Sequence, residues 1–310
     1  MRDRLLRDGF VILALVFVGL RLLAIKPWGD SVDAYAYWAT RDGSFYDAST
    51  TGRIGSYLYS PAFAQLLTPL IWLPIAVFTA LWTAINSATL WFLLRRWALP
   101  SLLFLPIAFE IISGNVHLLY AAAIVVGFRW PAAWALMLLT TVTPGIGVLW
   151  FLVRREWRSL AIALGTTAAI VAVSYALDAT QWARWLDILR LDANGAGEAS
   201  FATVGWYLPI GLGPRLAVAA AVVVVAAWTD RRWLVPVAVV LAMPVVWLNS
   251  LAVLAACVPL LRASRAPATA PAPVARSSVP SFEPPSFEPP SFEPPSSSAS
   301  SSSAPSGSPS

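Results

Sequence analysis

The chain has 310 residues, of which 58% are hydrophobic and 12% charged, and a formal net charge of +5. An ordinary soluble domain carries roughly a quarter charged residues, so this composition describes a chain solvated largely by lipid. A lone cysteine (Cys257), lysine (Lys26) and histidine (His117) exclude an internal disulfide, a cysteine-rich zinc site, a P-loop lysine in its motif and any two-histidine metal motif.

The basic N-terminus, MRDRLLRD, precedes an apolar run from Gly9 to Ile25, which is read as the first spanning helix. Further apolar segments are expected at 62–94, 99–112, 116–128, 131–153, 159–177, 206–227 and 233–261. Several are short: thirteen helical residues cover about 20 Å, against a hydrocarbon core of about 30 Å. Half-helices of this kind are tolerated where protein or a water-filled cavity covers the backbone groups freed at their breaks. The breaks are placed at Ser113 to Asn115, Thr143 to Gly145 and Trp247 to Ser250.

The basic residues lie between the apolar runs, which points to membrane orientation and to no nucleic-acid partner. With the N-terminus inside, Arg95/Arg96, Arg129, Arg154/Arg155/Arg158, Arg231/Arg232 and Arg262/Arg265 all fall in the cytoplasm. This requires 62–94 to cross once, with its first part lying along the outer interface, and the segments broken at Pro144 and Trp247 to be hairpins. The expectation is an all-α polytopic plasma-membrane protein of about ten transmembrane helices, with both termini cytoplasmic and an outward-facing cavity at the three breaks. Trp28, Trp97, Trp130 and Trp228 near helix ends read as an interfacial belt. The membrane domain is set at 1–262. Residues 263–310 form a Pro/Ser-rich tail in which SFEPP occurs three times in tandem, with too little apolar surface to order itself. It is read as a spacer, with a Pro-reading domain as the candidate binder.

Two outer regions are long, 26–60 and 178–205. In the first, Asp33-Ala34-Tyr35-Ala36-Tyr37-Trp38, Gly43-Ser44-Phe45-Tyr46 and Tyr57-Leu58-Tyr59-Ser60-Pro61 followed by Pro69-Leu70 resemble the start of glycosyltransferase family 87. These are GT-C-type, polyprenyl-phosphate-mannose-dependent α-mannosyltransferases of actinobacterial type. Leu81-Trp82 with Asn86, Ser113-Gly114-Asn115-Val116-His117, Thr143-Pro144 ahead of Arg154-Arg155-Glu156-Trp157, and Pro244-Val245-Val246-Trp247 continue the resemblance in order, over roughly 9–262. The chain departs from the pattern in having Asn115 for glutamine, no lysine near Pro144, and Asn249 and Ser250 where a histidine would follow Trp247. The resemblance implies a GT-C-like bundle that moves a sugar, mannose in the family, from a polyprenyl-phosphate donor to a lipid or glycan acceptor. Membrane lipids surround it, and no cofactor is expected, because the lipid-linked sugar is a substrate.

Such a transfer needs one carboxylate to take the acceptor hydroxyl's proton and cations to receive the departing phosphate. The sequence holds no Asp-x-Asp pair of the kind that grips a metal over a nucleotide diphosphate, so no metal is expected. Asp33, near the outer surface and where the resemblance places the catalytic aspartate, is the candidate base; Asp30 is its rival and a candidate helix cap. The expected substrate-binding residues are Asp30, Tyr35, Tyr37, Tyr57, Tyr59, Asn115 and His117, with the tyrosines read equally as stacking surfaces and as packing. The cations on the outer side are Arg21, Lys26, Arg41, Arg53, Arg184, Arg190 and Arg215. Glu110, a carboxylate in an apolar run, is expected to face the cavity or to pair with an arginine. Two other classes stay open, a transporter of a lipid-linked or small polar solute and a non-catalytic membrane scaffold.

Overall fold

A computed structural model of the protein describes residues 1–25, 31–43, 45–46, 56–193 and 210–265, with the backbone alone at 191–193. Every regular element among them is helical. Helix α1 (Arg2–Leu22) takes in the basic N-terminus as well as the apolar run, beginning earlier than the sequence suggested. Asp3 in its first turn and Arg21 in its last complement the helix dipole, which lets the charged segment stay helical. The helix closes where Ala24 adopts φ 54° and the Leu23, Ala24 and Ile25 amides turn back to the Gly19, Arg21 and Leu20 carbonyls. Phe10 stacks on Trp91 with ring centroids 5.8 Å apart, laying α1 along α4 (Ile75–Leu94).

Between these two come α2 (Val32–Ala39) and α3 (Pro61–Ile71). Pro61 starts α3 where its missing N–H costs nothing. Trp72 to Pro74 separates α3 from α4, dividing the apolar stretch 62–94 into a short first helix and a long second one. A 3-10 turn at Arg95–Trp97 leads α4 into α5 (Ala98–Ser101). Helices α6 (Leu105–Ser113) and α7 (His117–Gly127) follow, bent by 109° at the break between them.

The remaining breaks predicted from sequence are also present. Helix α8 (Ala135–Thr141) stops at Val142, φ 47°, and a 3-10 segment Thr143–Val148 carries the chain into α9 (Leu149–Val153). Helix α10 (Trp157–Leu177) and α11 (Ala179–Ala193) come next, then α12 (Leu212–Trp228) and α13 (Val235–Leu241). After α13 the chain is irregular to Trp247, where a 3-10 helix, Leu248–Ala256, opens with a capping box made with Ser250 and runs into α14 (Cys257–Arg265).

Length and composition make Ile75–Ser101 and Trp157–Leu177 able to cross a membrane, and the bent pair α6 and α7 a third if taken as one span. Pro61–Ile71, Pro131–Thr141, Thr143–Val153, Leu212–Trp228 and Arg232–Leu241 are shorter apolar helices. Helix α10 buries little beyond Ala163 and Ser174, and it exposes Val173, Tyr175 and Leu177. Together with exposed Leu15 and Val16 of α1, these are surfaces suited to lipid. Trp97, Trp130 and Trp228 are exposed near helix ends, as a belt requires; Trp28 lies outside the described residues.

Among the described residues, the following contacts tie helices of the bundle together. The Trp134 ring occupies the space where a side chain on Gly147 would begin, so that only glycine fits there against the fully buried indole. Arg215, buried in α12, donates to the Leu241, Met243 and Pro244 carbonyls at 3.1, 2.6 and 2.7 Å, and to Ile210 O at 2.7 Å. It thereby satisfies the acceptors that open when α13 ends inside the protein. At the opposite end of α12, Arg154 bonds Asp230 and Glu156, each at 3.0 Å, and the Ala227 carbonyl at 3.2 Å. Residues Met1–Ala266 form one compact unit; the SFEPP repeats lie outside the described residues.

Candidate active site

The break between α6 and α7 is built by Gly114. Its φ of 72° ends α6 with a bond from its N–H to Glu110 O at 2.9 Å, and a side-chain carbon there would stand 2.8 Å from Ala34 Cβ and 3.2 Å from Trp82 Cδ1. Glycine therefore serves twice, for the left-handed turn and for the close approach of α2. Ser31 at the start of α2 and Arg21 at the end of α1 both donate to the Ile112 carbonyl, at 3.3 and 2.9 Å, fixing α2 over the break. This geometry carries Asp33, in the first turn of α2, to the Ser113–Asn115 segment.

Asp33 is half-buried. Loss of solvent raises its proton affinity most, and the nearby Glu110 carboxylate raises it further. His117 and hydrogen bonds from the Ser113 and Asn115 side chains lower it, leaving the pKa at about 6. Asn115 is oriented for this role. Its Oδ1 accepts from Val116 N–H at 2.7 Å, Tyr59 hydroxyl at 3.1 Å and Tyr37 hydroxyl at 3.3 Å, which leaves the amide nitrogen to meet Asp33. Asn86, fully buried on α4, donates to the Asn115 carbonyl at 3.2 Å.

On the other side of the break, Glu110 is fully buried and accepts three hydrogen bonds. Its Oε1 takes the His117 and Leu118 amides at 2.6 and 3.3 Å, capping α7, and its Oε2 lies 2.9 Å from His117 Nδ1. The partner expected for Glu110 was an arginine or the cavity. It is instead the protein's one histidine, because the sharp bend folds residue 117 back over the last turn of α6. His117 Nε2 in turn lies 3.4 Å from Ser250 Oγ, and Asn249 Nδ2 donates to Ser113 Oγ at 3.3 Å. The breaks at Gly114 and Trp247 thus meet face to face. The third is linked through Tyr120, whose ring stands edge-on to His117 at 5.9 Å while its hydroxyl donates to Thr140 Oγ1 at 2.6 Å.

The aromatic residues of the outer loop form a packed nest. Tyr37 contacts Tyr59, Phe63 and Trp82 with ring centroids 5.2–5.5 Å apart, and Tyr57 contacts Phe45, Tyr46 and Tyr59. Tyr57 donates to Ser60 O and Tyr46 to Tyr59 O. Tyr37 and Tyr57 are enclosed, so they act through packing and, for Tyr37, through its hydroxyl; Tyr35 is 51% exposed. The structure therefore gathers Asp33, Tyr37, Tyr59, Asn115 and His117 at one place and leaves Tyr35 outside it. Asp30, Lys26 and Arg53 lie outside the described residues. Arg215 serves the backbone, Arg190 pairs with Asp187 at 2.7 Å, and Arg41 stacks on Trp38.

Ser113 and Ser250, read from sequence as parts of breaks, and Glu110, read as a carboxylate facing the cavity or pairing with an arginine, belong to the same centre. Glu110 stands seven residues before the histidine across a Ser-Gly-Asn break. Among the described residues no group of three or more His, Cys, Asp or Glu could hold a metal ion.

A polar centre of carboxylate, imidazole and amides inside an apolar helical bundle is suited to polar chemistry at a membrane. The family model for glycosyltransferase family 87 matches residues 57–272, more than half of the chain. The chain belongs to glycosyltransferase family 87. Membership makes it a membrane glycosyltransferase, and the matched region contains the Glu110–His117 break, Asn86, Asn115 and Ser250. Asp33 lies ahead of the family 87 match, so its place in the site rests on the packing of α2 against Gly114. No curated protein and no solved structure matches the chain.

Proposed function

We propose that the protein transfers a sugar, mannose in the first instance, from a polyprenyl-phosphate donor to a lipid or glycan acceptor at the outer face of the plasma membrane, with Asp33 as the general base. The observation that carries the reading is the half-buried Asp33 carboxylate held by Ser113 and Asn115 at the helix break of a family 87 chain. A pKa of about 6 leaves Asp33 ionised at neutral pH and a stronger base than an ordinary carboxylate, which suits proton abstraction. The acceptor oxygen attacks the anomeric carbon, its proton passes to Asp33, and the bond from that carbon to the phosphate oxygen breaks with its electron pair on the phosphate. The donor is already activated by its phosphate, and the absence of an Asp-x-Asp pair supports a metal-independent transfer.

In this proposal the chain makes about ten crossings, with hairpins at the 143–145 and 247–250 breaks. The termini and the SFEPP tail are cytoplasmic, and the three breaks open to an outward cavity. The test is transfer in isolated membranes from a radiolabelled polyprenyl-phosphate mannose donor, comparing wild type with Asp33→Asn and with an EDTA-treated sample. Transfer by wild type in EDTA and none by Asp33→Asn supports the reading. Full activity in Asp33→Asn would overturn the base, and a transporter or scaffold would show no transfer in either protein.

A further inference from the structure

The Glu110–His117 pair has no part in proton abstraction as described above, yet it is heavily bonded. Glu110 is wholly enclosed and uses both carboxylate oxygens, on two backbone amides and on His117 Nδ1. A buried carboxylate with three donors is firmly fixed, and a ring nitrogen that donates to it is fixed with it. With Nδ1 turned to Glu110, the other nitrogen, Nε2, is forced toward Ser250. Ser250 Oγ already accepts from Trp247 N–H at 3.1 Å, so Nε2 and the serine hydroxyl share one side of the break.

The charge at this centre is unbalanced for its proposed task. Asp33 and Glu110 are both acids close enough to act on one another, and a lipid phosphate would bring further negative charge. Among the described residues, Arg215 donates to four backbone carbonyls, Arg190 pairs with Asp187 and Arg21 donates to Ile112 O, while His117 stands at the break beside Asp33. Glu110 backs the imidazole on its Nδ1 side, and Nε2 is the ring nitrogen left to face a ligand.

We propose that Glu110 is a positioning residue that holds His117 with its Nε2–H directed at the phosphate of the lipid-linked donor, so that His117 receives the negative charge that gathers there as the sugar leaves. The inference rests on the sugar-transfer reading and deepens it by naming the residue that meets the phosphate. As the carbon–oxygen bond breaks, the electron pair remains on the phosphate oxygen and is stabilised by this hydrogen bond. Asp33 takes the acceptor's proton on the other side of the same break.

Because His117 is the protein's one histidine, labelling histidine with nitrogen-15 gives one imidazole to observe, without any substitution. In nanodiscs of the full chain, the wild-type spectrum should show Nδ1 protonated, and titration with a polyprenyl monophosphate should shift the Nε2 resonance while leaving Nδ1 nearly in place. In Glu110→Gln the two resonances should no longer be distinguished by a fixed proton, and kcat/KM for a polyprenyl-phosphate mannose donor should fall by about tenfold or more, the scale of one charge-assisted hydrogen bond. The KM for the acceptor should stay within a factor of about two, since the acceptor meets Asp33. An Nε2 signal indifferent to polyprenyl phosphate in a wild-type protein that transfers sugar would overturn the inference and leave the transfer reading intact. If wild type transfers no sugar from this donor at all, the transfer reading itself fails.

Discussion

Ala34 packs on Gly114 so closely that a methyl group added to the glycine would stand 2.8 Å from the alanine's own Cβ. Neither carbon can rotate away, one being a methyl on a helix and the other next to the backbone of a turn. The placement of Asp33, one residue before Ala34, thus depends on the absence of a side chain at 114.

Gly114→Ala should therefore impair catalysis beyond its effect on folding. The left-handed φ of 72° costs about 1–2 kcal/mol for a residue with a Cβ, and the clash displaces α2 from the break. The measurement is kcat for sugar transfer alongside the thermal midpoint in detergent. A variant with a lowered midpoint but unchanged kcat would show that Asp33 does not need this contact.

Asp33→Asn should reduce transfer by about a hundred- to ten-thousand-fold, the range of a general base, while the protein still inserts. In wild type the rate should fall as pH drops through about 6, because only ionised Asp33 can take a proton. The stability effect has the opposite sign. A carboxyl whose folded-state pKa is raised favours folding below its unfolded pKa, and that contribution is lost as pH rises through about 6. At pH 7 the neutral Asp33→Asn protein should therefore unfold at a temperature equal to or above that of wild type. Thermal melts at pH 5 and pH 7 check this, and a clear loss of stability at pH 7 would contradict it.

Arg215→Leu should destabilise the bundle by roughly 3 kcal/mol or more, since several buried carbonyls lose a charged donor together. Arg215→Lys should recover only part, a single ammonium being unable to reach the carbonyls that the guanidinium fork spans. Detergent melting curves of the two variants are the readout, and equal melting of Lys and wild type would show that the fork is not needed.

A reporter fused after Arg155 should signal from the cytoplasm, and one inserted near residue 195 from outside. The basis is the Arg154 cluster, which joins Asp230 and Glu156 at one end of the bundle, together with the positive-inside rule. An external signal from the Arg155 fusion would remove the hairpin at Pro144 and the single outer cavity with it.

The breaks were legible in sequence because their residues leave little choice. Gly114 supports a left-handed turn, and Pro144 and the Trp247–Ser250 run interrupt the long apolar segments 131–153 and 233–261. The Glu110–His117 pair was not legible as a pair. Seven residues apart, they would stand two turns and about 10 Å apart along a straight helix, and only the 109° bend brings imidazole to carboxylate. The tyrosines show the same limit. Composition placed them near Asp33, but whether a ring faces outward or into Phe63 and Trp82 is decided by packing between distant helices. The helical start of α1 was missed because hydropathy alone marked its beginning, whereas Asp3 and the dipole allow the charged turn to be helical.

The meeting of Ser250 and Asn249 with His117 and Ser113 also sets an order in time. A ribosome delivers Asp33 and the 113–117 turn long before the Leu248–Ala256 segment that completes their surroundings. A nascent chain carrying only its earlier helices holds a carboxylate, an imidazole and a base without the wall that closes around them. A chain terminated before residue 248 should therefore accumulate in the membrane and transfer no sugar, because its 113–117 turn lacks the Asn249 and Ser250 contacts.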